Sequence, residues 1–326
     1  MVLVLNGKDI PKILDMKETI DIVEEAFLEL SNGTVEMPLR QIILEPKKNG
    51  WIAVMSSYIK NMKALATKVV TVYPNNPKHN LPTTIASIIL NDPDTGKPLA
   101  IINGGYLTAI RTGAISGVAT KYLAKKNACT AGIFGAGVQA RTQLEAIVNV
   151  RKINEAYVYD MFPESSKKFA EEMSKKLKIP ITQVNDPIKC VKGCDIIATA
   201  TTSKTPLFDG QIIEPGTHIN AVGSHMATTR ELDTKTVMTS KVVVDSKEAA
   251  IKEYGEFIIP ISEGIDPTQN IYCELSDIVS KRMNARINDE EITLFKSGGL
   301  AIQDTAVAYL AYQNALKLEI GTQIDL

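Results

Sequence analysis

Residues 129–140 run C-T-A-G-I-F-G-A-G-V-Q-A, an apolar stretch that ends in Gly135, Gly137 and Ala140 at the spacing G-x-G-x-x-A. Arg141 to Val150 continues with helical character, so the glycines sit at a strand-to-helix turn. Such a turn is where a dinucleotide pyrophosphate docks. Gly135 permits the tight bend, and Gly137 lets the main chain approach phosphate without a Cβ in the way. Ala140 lets the helix pack closely on its strand, with the helix N-terminal N–H groups facing the anion. A glycine fingerprint alone also fits an ordinary turn, so the surrounding sequence has to decide.

About 20 to 25 residues past the glycines, Ala156 to Tyr159 forms a second short apolar strand ending in Asp160, where an acid would accept hydrogen bonds from both hydroxyls of an adenine ribose. An anion there repels a 2′-phosphate. The following loop, Met161 to Ser166, offers no Arg or Lys to receive one before Lys167 and Lys168, which belong to the next helix. NAD is therefore expected, with NADP the lesser possibility. The alternative is that Asp160 only caps a helix beginning near Pro163.

A 326-residue chain with 44% hydrophobic residues is long enough for two domains, or for one domain with a large insertion, and apolar enough for buried cores. A net charge of −1, with no basic stripe interleaved with aromatics, argues against a nucleic-acid partner. The first residues lack a charged leader and no run reaches a membrane span, so a soluble cytoplasmic protein is expected. Cys129, Cys190, Cys194 and Cys273 have neither zinc-like nor C-x-x-C spacing, which predicts buried free thiols, no metal and no disulfide.

Ile20, Val23, Ala26, Phe27 and Leu30 mark an amphipathic helix closed by Asn32-Gly33. Segments 40–45, 51–55, 64–73, 84–90 and 98–102 are short, β-branched and separated by turn residues, as in a mostly antiparallel α+β unit. Leu107 to Ala124 predicts a helix. From Cys129 the pattern alternates, with strands near 130–134, 156–159, 180–184, 195–199, 217–221 and 241–244. After Ser276 the alternation fades, and Gly298 to Leu316 predicts one more helix, returning to the first domain. The expected fold class is α/β: a Rossmann-type dinucleotide-binding domain over 126–299, with an α+β substrate domain made of 1–125 plus 300–326.

Three cations interrupt apolar runs in the first domain: Arg40, Lys68 and Arg111. Lys68 lies between Ala64-Leu65-Ala66-Thr67 and Val69-Val70-Thr71-Val72, so its ammonium either points outward from a strand edge or is buried beside an anion. Arg111, near the start of a helix, suits bidentate capture of a carboxylate, or else ties two elements together.

At this point the chain resembles the ornithine cyclodeaminase/mu-crystallin family. The likeness runs through Met37-Pro38-Leu39-Arg40, Ala66-Thr67-Lys68-Val69-Val70-Thr71-Val72-Tyr73-Pro74, Leu81-Pro82-Thr83-Thr84 and Thr95-Gly96-Lys97-Pro98-Leu99-Ala100. It continues through Leu107 to Ala114, G-A-G-V-Q-A, Asn220-Ala221-Val222-Gly223-Ser224, Arg230-Glu231-Leu232-Asp233 and Phe295 to Ala301, and so covers nearly the whole chain. The resemblance implies a homodimer in which the α+β domain binds substrate and partner subunit. It also implies that residues matching Arg40, Lys68 and Arg111 hold the carboxylate of a small amino or imino acid. Three cations on one carboxylate would fix the α-carbon for hydride transfer, and neighbouring arginines would lower the Lys68 pKa toward neutrality for proton exchange. Candidate cofactor contacts are Gly135, Gly137, Val138, Gln139 and Asp160, with Thr112, Thr201, Val222, Gly223 and Ser297 as further candidates.

The family's activities include ornithine cyclodeaminase, alanine dehydrogenase and reductases of cyclic ketimines such as Δ1-pyrroline-2-carboxylate, together with a ligand-binding crystallin. Its cyclodeaminases, and the archaeal alanine dehydrogenase, resemble one another in an Asp at the position held here by His225. An imidazole exchanges protons but pairs poorly with a substrate ammonium. His225 therefore points to an NAD(P)-dependent oxidoreductase of a small α-amino or α-imino acid, of the alanine dehydrogenase or ketimine reductase type, rather than to cyclodeamination of ornithine. The alternative for His225 is a place at the cofactor edge without proton transfer. A non-catalytic carrier has less need of both a carboxylate clamp and a hydride donor.

Overall fold

The period-two apolar pattern between residues 50 and 103 becomes an open sheet in the computed structural model, which describes residues 1–325. The first unit comprises Met1–Arg111 and Leu300–Leu326, the second Thr112–Gly299. In chain order the first unit contributes β1 (Val2–Leu5), α1 (Ile10–Ile13), α2 (Met16–Ser31), β2 (Val35–Glu36), β3 (Gln41–Glu45), β4 (Gly50–Ile59), β5 (Ala64–Val72), β6 (Thr84–Asn91) and β7 (Pro98–Asn103). The helix α3 (Gly104–Leu123) carries the chain into the second unit.

There the elements are β8 (Thr130–Phe134), α4 (Val138–Val150), β9 (Glu155–Tyr159), α5 (Pro163–Leu177), β10 (Ile181–Gln183), β11 (Ile196–Thr199), β12 (His218–Ala221), α6 (Thr234–Thr239) and β13 (Lys241–Val244). They are followed by α7 (Lys247–Glu253), α8 (Gly255–Ser262), β14 (Ile271–Glu274), α9 (Leu275–Val279) and β15 (Thr293–Lys296). The chain then returns to the first unit as α10 (Ala301–Leu318) and β16 (Thr322–Ile324).

The first sheet runs β16-β1-β7-β6-β5-β4-β2, with β3 also paired to β4. All its ladders are antiparallel except β1 with β7. Its buried face carries small side chains, Ala53, Ala64, Ala66 and Ala86, against which α10 packs. Small residues there let the helix axis approach the strands, so polar groups projecting from both meet at short range.

The second sheet runs β10-β9-β8-β11-β12-β15-β13-β14, and every ladder is parallel. Its first six strands follow the doubly wound order 3-2-1-4-5-6 of a two-half dinucleotide fold. Ile196 and Ala198 join one core cluster with Leu144 and Phe169, while Ile197 joins the other with Ile219, Val242 and Phe257. Successive residues of β11 thus feed cores on opposite faces, as buried parallel strands require.

Two sequence readings need correction. The alternation does not end at Ser276, because β15 follows it, and β15 lies inside the sheet between β12 and β13. Four residues, Thr-Leu-Phe-Lys, ending in a charge, give little period-two signal. Nor is Lys68 at a strand edge: β5 is paired on both sides, with Met55 and Ile88 as its cross-strand neighbours. Of the cysteines, Cys190, Cys194 and Cys273 are buried, while Cys129 precedes β8 and is half-buried.

Candidate functional site

In the second unit the fingerprint closes the C-terminal end of β8. Gly135 has φ +98, and a Cβ there would lie 2.7 Å from the Ala200 carbonyl oxygen, so the position demands glycine. Gly137 is exposed, and a Cβ on it would meet nothing within 4 Å. Gly137 is also the N-cap of α4, with no side chain capping that end. An open space faced by uncapped N–H groups is what a pyrophosphate needs.

Asp160 accepts from Ala136 N at 2.8 Å and from Phe162 N at 2.9 Å, so it ties the glycine loop to the end of β9. It is not the N-cap of α5, which is Phe162. Each carboxylate oxygen keeps lone-pair capacity for a ribose hydroxyl. Lys167 and Lys168 lie on α5. A cavity of about 590 Å³ opens here, lined by Gly135, Gly137, Asp160, Phe162, Thr201 and Leu207 among others. These residues fit a bound NAD.

The remaining cofactor candidates stand outside that lining. Val138 is exposed, and Gln139, Val222 and Gly223 are half-buried. The Thr112 carbonyl accepts from Gln143 Nε2 at 3.0 Å, and the Ser297 hydroxyl donates to Asp245 at 2.6 Å. His225 follows β12, half-buried, with Nδ1 3.4 Å from the Gly223 carbonyl oxygen. His218 is buried between Thr293 and Asn220, and burial, followed by the nearby Arg286 charge, pushes its pKa down to about 3. It is a neutral core histidine.

In the first unit Lys68 and Arg111 converge on an acid that sequence reasoning missed. Lys68 Nζ donates to Asp304 Oδ2 at 2.5 Å, and Arg111 Nε donates to Asp304 Oδ1 at 2.9 Å. Arg111 Nη1 also donates to Gln303 Oε1 at 2.7 Å. Lys68 is 2% exposed, Arg111 5% and Asp304 1%. The Lys68 pKa is lowered to about 8, first by burial, against the attraction of Asp304, and further by Arg111 and Arg40. Arg40, half-buried just before β3, thus acts on the same ammonium. The direction is the expected one, but burial rather than the arginines is its largest cause. Gln303 Nε2 is buried and has no hydrogen-bond partner among the described residues.

The cluster holds two buried cations against one carboxylate, with an unused amide donor beside them. A second anion satisfies both imbalances. The only sequence signal for Asp304 is a lone acid in the first turn of the apolar helix α10. Among the described residues no group of three or more His, Cys, Asp or Glu is placed to hold a metal. No helix among them is long and apolar enough to cross a membrane.

The pattern of the ornithine cyclodeaminase/mu-crystallin family matches residues 2–319. The Δ1-pyrroline-2-carboxylate reductase of Thermococcus litoralis, solved with NADH and L-proline, is 53% identical with a TM-score of 0.96, covering 99% of this chain and 100% of that one. An archaeal alanine dehydrogenase dimer with bound NAD is 36% identical with a TM-score of 0.93, covering 99% of both chains. The Δ1-pyrroline-2-carboxylate reductase of Bacillus cereus is 39% identical over 324 residues, 99% of each chain. A match over almost the whole length, joined to the fingerprint turn and the buried cation cluster, identifies this chain as a member of the ornithine cyclodeaminase/mu-crystallin family.

Proposed function

We propose that this chain is an NADH-dependent reductase of a small cyclic imino acid of the Δ1-pyrroline-2-carboxylate type. The observation that carries the reading is the buried group of Lys68, Arg111 and Gln303, which has one carboxylate of its own and donors for a second. Its 53% identity with a pyrroline-2-carboxylate reductase favours that substrate over pyruvate and ammonia, the alanine dehydrogenase pair. The chain is an NAD-dependent oxidoreductase of C=N or CH–NH2 groups, and Asp160 favours NAD over NADP.

NADH, when bound, supplies the hydride that reduces the imine carbon. The chain's own groups bind and deliver the proton. Arg111 and Arg40 take the substrate carboxylate, and Gln303 Nε2 donates to one of its oxygens. Asp304 accepts from both Lys68 and Arg111 and so fixes the direction of the ammonium. With its pKa near 8, Lys68 is protonated at neutral pH yet acidic enough to hand a proton to the imine nitrogen, leaving a neutral amine that solvent reprotonates. His225 is the second proton-transfer candidate; the carboxylate that would favour ammonia loss from a diamine is missing at its position.

The reading includes a homodimer in the cytoplasm. Ile43 on β3, Val69 on β5, and Ile85 and Ile89 on β6 share one face of the sheet and are exposed, and such a surface suits cover by a second copy.

The test follows NADH oxidation with purified protein. Δ1-pyrroline-2-carboxylate and pyruvate plus ammonia are offered separately, and ornithine plus NAD is assayed in parallel for proline and ammonia. Oxidation with the cyclic imine and little with pyruvate supports the proposal. Faster turnover of pyruvate plus ammonia replaces it with alanine dehydrogenase. Proline and ammonia from ornithine without net NADH would make the protein a cyclodeaminase.

A further inference from the structure

Glu231 is fully buried in the second unit, yet it accepts four hydrogen bonds. Oε1 receives Thr201 N at 2.6 Å and Thr201 Oγ1 at 2.7 Å, and Oε2 receives Thr199 Oγ1 at 2.7 Å and Gly223 N at 2.9 Å. Thr199 and Thr201 belong to the C-terminal end of β11, and Gly223 to that of β12. The two loops meet so closely that a Cβ on Gly223 would lie 2.3 Å from Glu231 Oε1 and 2.4 Å from the Thr201 carbonyl oxygen.

Glu231 is itself anchored. Its main-chain N–H donates to Glu256 Oε1 at 3.0 Å, and Glu256 Oε2 pairs with Lys296 Nζ at 3.1 Å at the end of β15. Lys296 Nζ donates in turn to the Ser224 carbonyl at 2.5 Å. One buried network therefore binds the C-terminal ends of β11, β12 and β15. Burial raises the Glu231 pKa, opposed by the Lys296 charge and by the hydrogen bonds from Thr199 and Thr201. Each oxygen faces one main-chain N–H, a donor that cannot reverse, and a carboxyl side chain offers an oxygen to each of them where an amide offers only one.

In a doubly wound fold the first three strands serve one mononucleotide half and the next three the other. The fingerprint and Asp160 belong to β8 and β9, the adenosine side, so β11, β12 and β15 form the nicotinamide side. We propose that Glu231 is the positioning residue of the nicotinamide half, clamping Thr201 to Gly223 so that the loops after β11 and β12 form one fixed wall for the ring. This deepens the proposed function and rests on its assignment of the second unit to NAD. It does not depend on which imine is reduced.

The experiment measures binding without substrate: NADH by fluorescence titration and ADP-ribose, which lacks the nicotinamide, by calorimetry. Glu231→Gln turns an amide N–H2 toward one of the two main-chain donors and opens the clamp. Its NADH affinity should fall roughly tenfold while ADP-ribose affinity stays within a factor of about two. KM for NADH should rise with it. Thr199→Val, which removes one of the four donors at a residue outside the cofactor lining, should weaken NADH about threefold and spare ADP-ribose.

Unchanged NADH affinity in Glu231→Gln overturns the proposal. Parallel loss of both ligands with a lower Tm also overturns it, because the role is then general folding. If Glu231→Gln does not fold, Thr199→Val decides alone, and wild-type NADH affinity in that variant overturns the proposal. A wild-type protein that binds NADH but reduces no imine would defeat the activity reading while leaving these binding results to judge Glu231.

Discussion

The two sheets differ in how many of their faces the chain covers. In the second unit, β8, β11, β12 and β15 are buried almost throughout, and separate cores lie on the two faces. In the first unit, Ala64, Ala66, Lys68 and Val70 point to the covered face of β5, while Val69 points away and is 36% exposed. On β6, Ile85 is 42% and Ile89 40% exposed. An antiparallel sheet with one wet face ordinarily turns polar residues toward water; this one turns out β-branched hydrophobics. The parallel unit is complete within one chain and holds the part of the chemistry common to NAD enzymes. The antiparallel unit leaves apolar side chains exposed on one face and sets two buried cations against one carboxylate on the other; under the proposed function these are the places of a second copy and of the substrate.

If this division of labour is right, lesions in the two units should separate chemistry from cofactor binding. The largest effect is expected for Lys68→Ala, with kcat for imine reduction falling roughly 10²–10⁴-fold and NADH affinity retained. Stopped-flow kinetics beside NADH titration would check this, and parallel loss of both would break the comparison. Gly135→Ala should do the converse. Its positive φ and the Ala200 oxygen in the way cost about 1–3 kcal/mol, so NADH binding should weaken tenfold or more.

The pH profile sharpens the comparison next. Lys68 donates only while protonated, so kcat/KM for reduction should be level at neutral pH and fall about tenfold per pH unit above the pKa near 8. The reverse reaction should rise through the same pH. Linkage has its own sign: the folded pKa of about 8 lies below the ordinary 10.5, so this group's contribution to stability grows as pH rises between the two values. Asp304→Asn removes the anion that raises the pKa and should move the kinetic break to lower pH. The smallest effect is expected for Ile89→Lys, which should weaken the proposed dimer about tenfold, read by sedimentation, with cofactor binding untouched.

The second unit was largely legible in the sequence because its signals are local. Gly135, Gly137, Ala140 and Asp160 fall within one β-α-β stretch, and their spacing alone carries the geometry. What escaped was β15, since only partners distant in sequence, Glu256 and the Ser224 carbonyl, explain how Lys296 ends a central strand. The first unit hides its chemistry for the same reason. Lys68 was visible as an anomaly, but whether it faced water or an anion depended on Asp304, 236 positions away. The acid sits on a helix whose pattern says only that it is apolar. Sequence spacing reveals contacts along one element, whereas this cluster exists only once α10 lies on β5.

That return of the chain orders events during synthesis. Residues 112–299 leave the ribosome before 300–325, so the second unit has all its strands while the first still lacks α10 and β16. Until Asp304 arrives, Lys68 on β5 and Arg111 on α3 are two like charges without the carboxylate that pairs them, and the sheet has no α10 against Ala64 and Ala66. A chain stalled before residue 304 would thus carry a finished cofactor fold beside an electrostatically frustrated, uncovered sheet. Such an exposed face is a mark by which chaperones and proteases distinguish unfinished chains from finished ones.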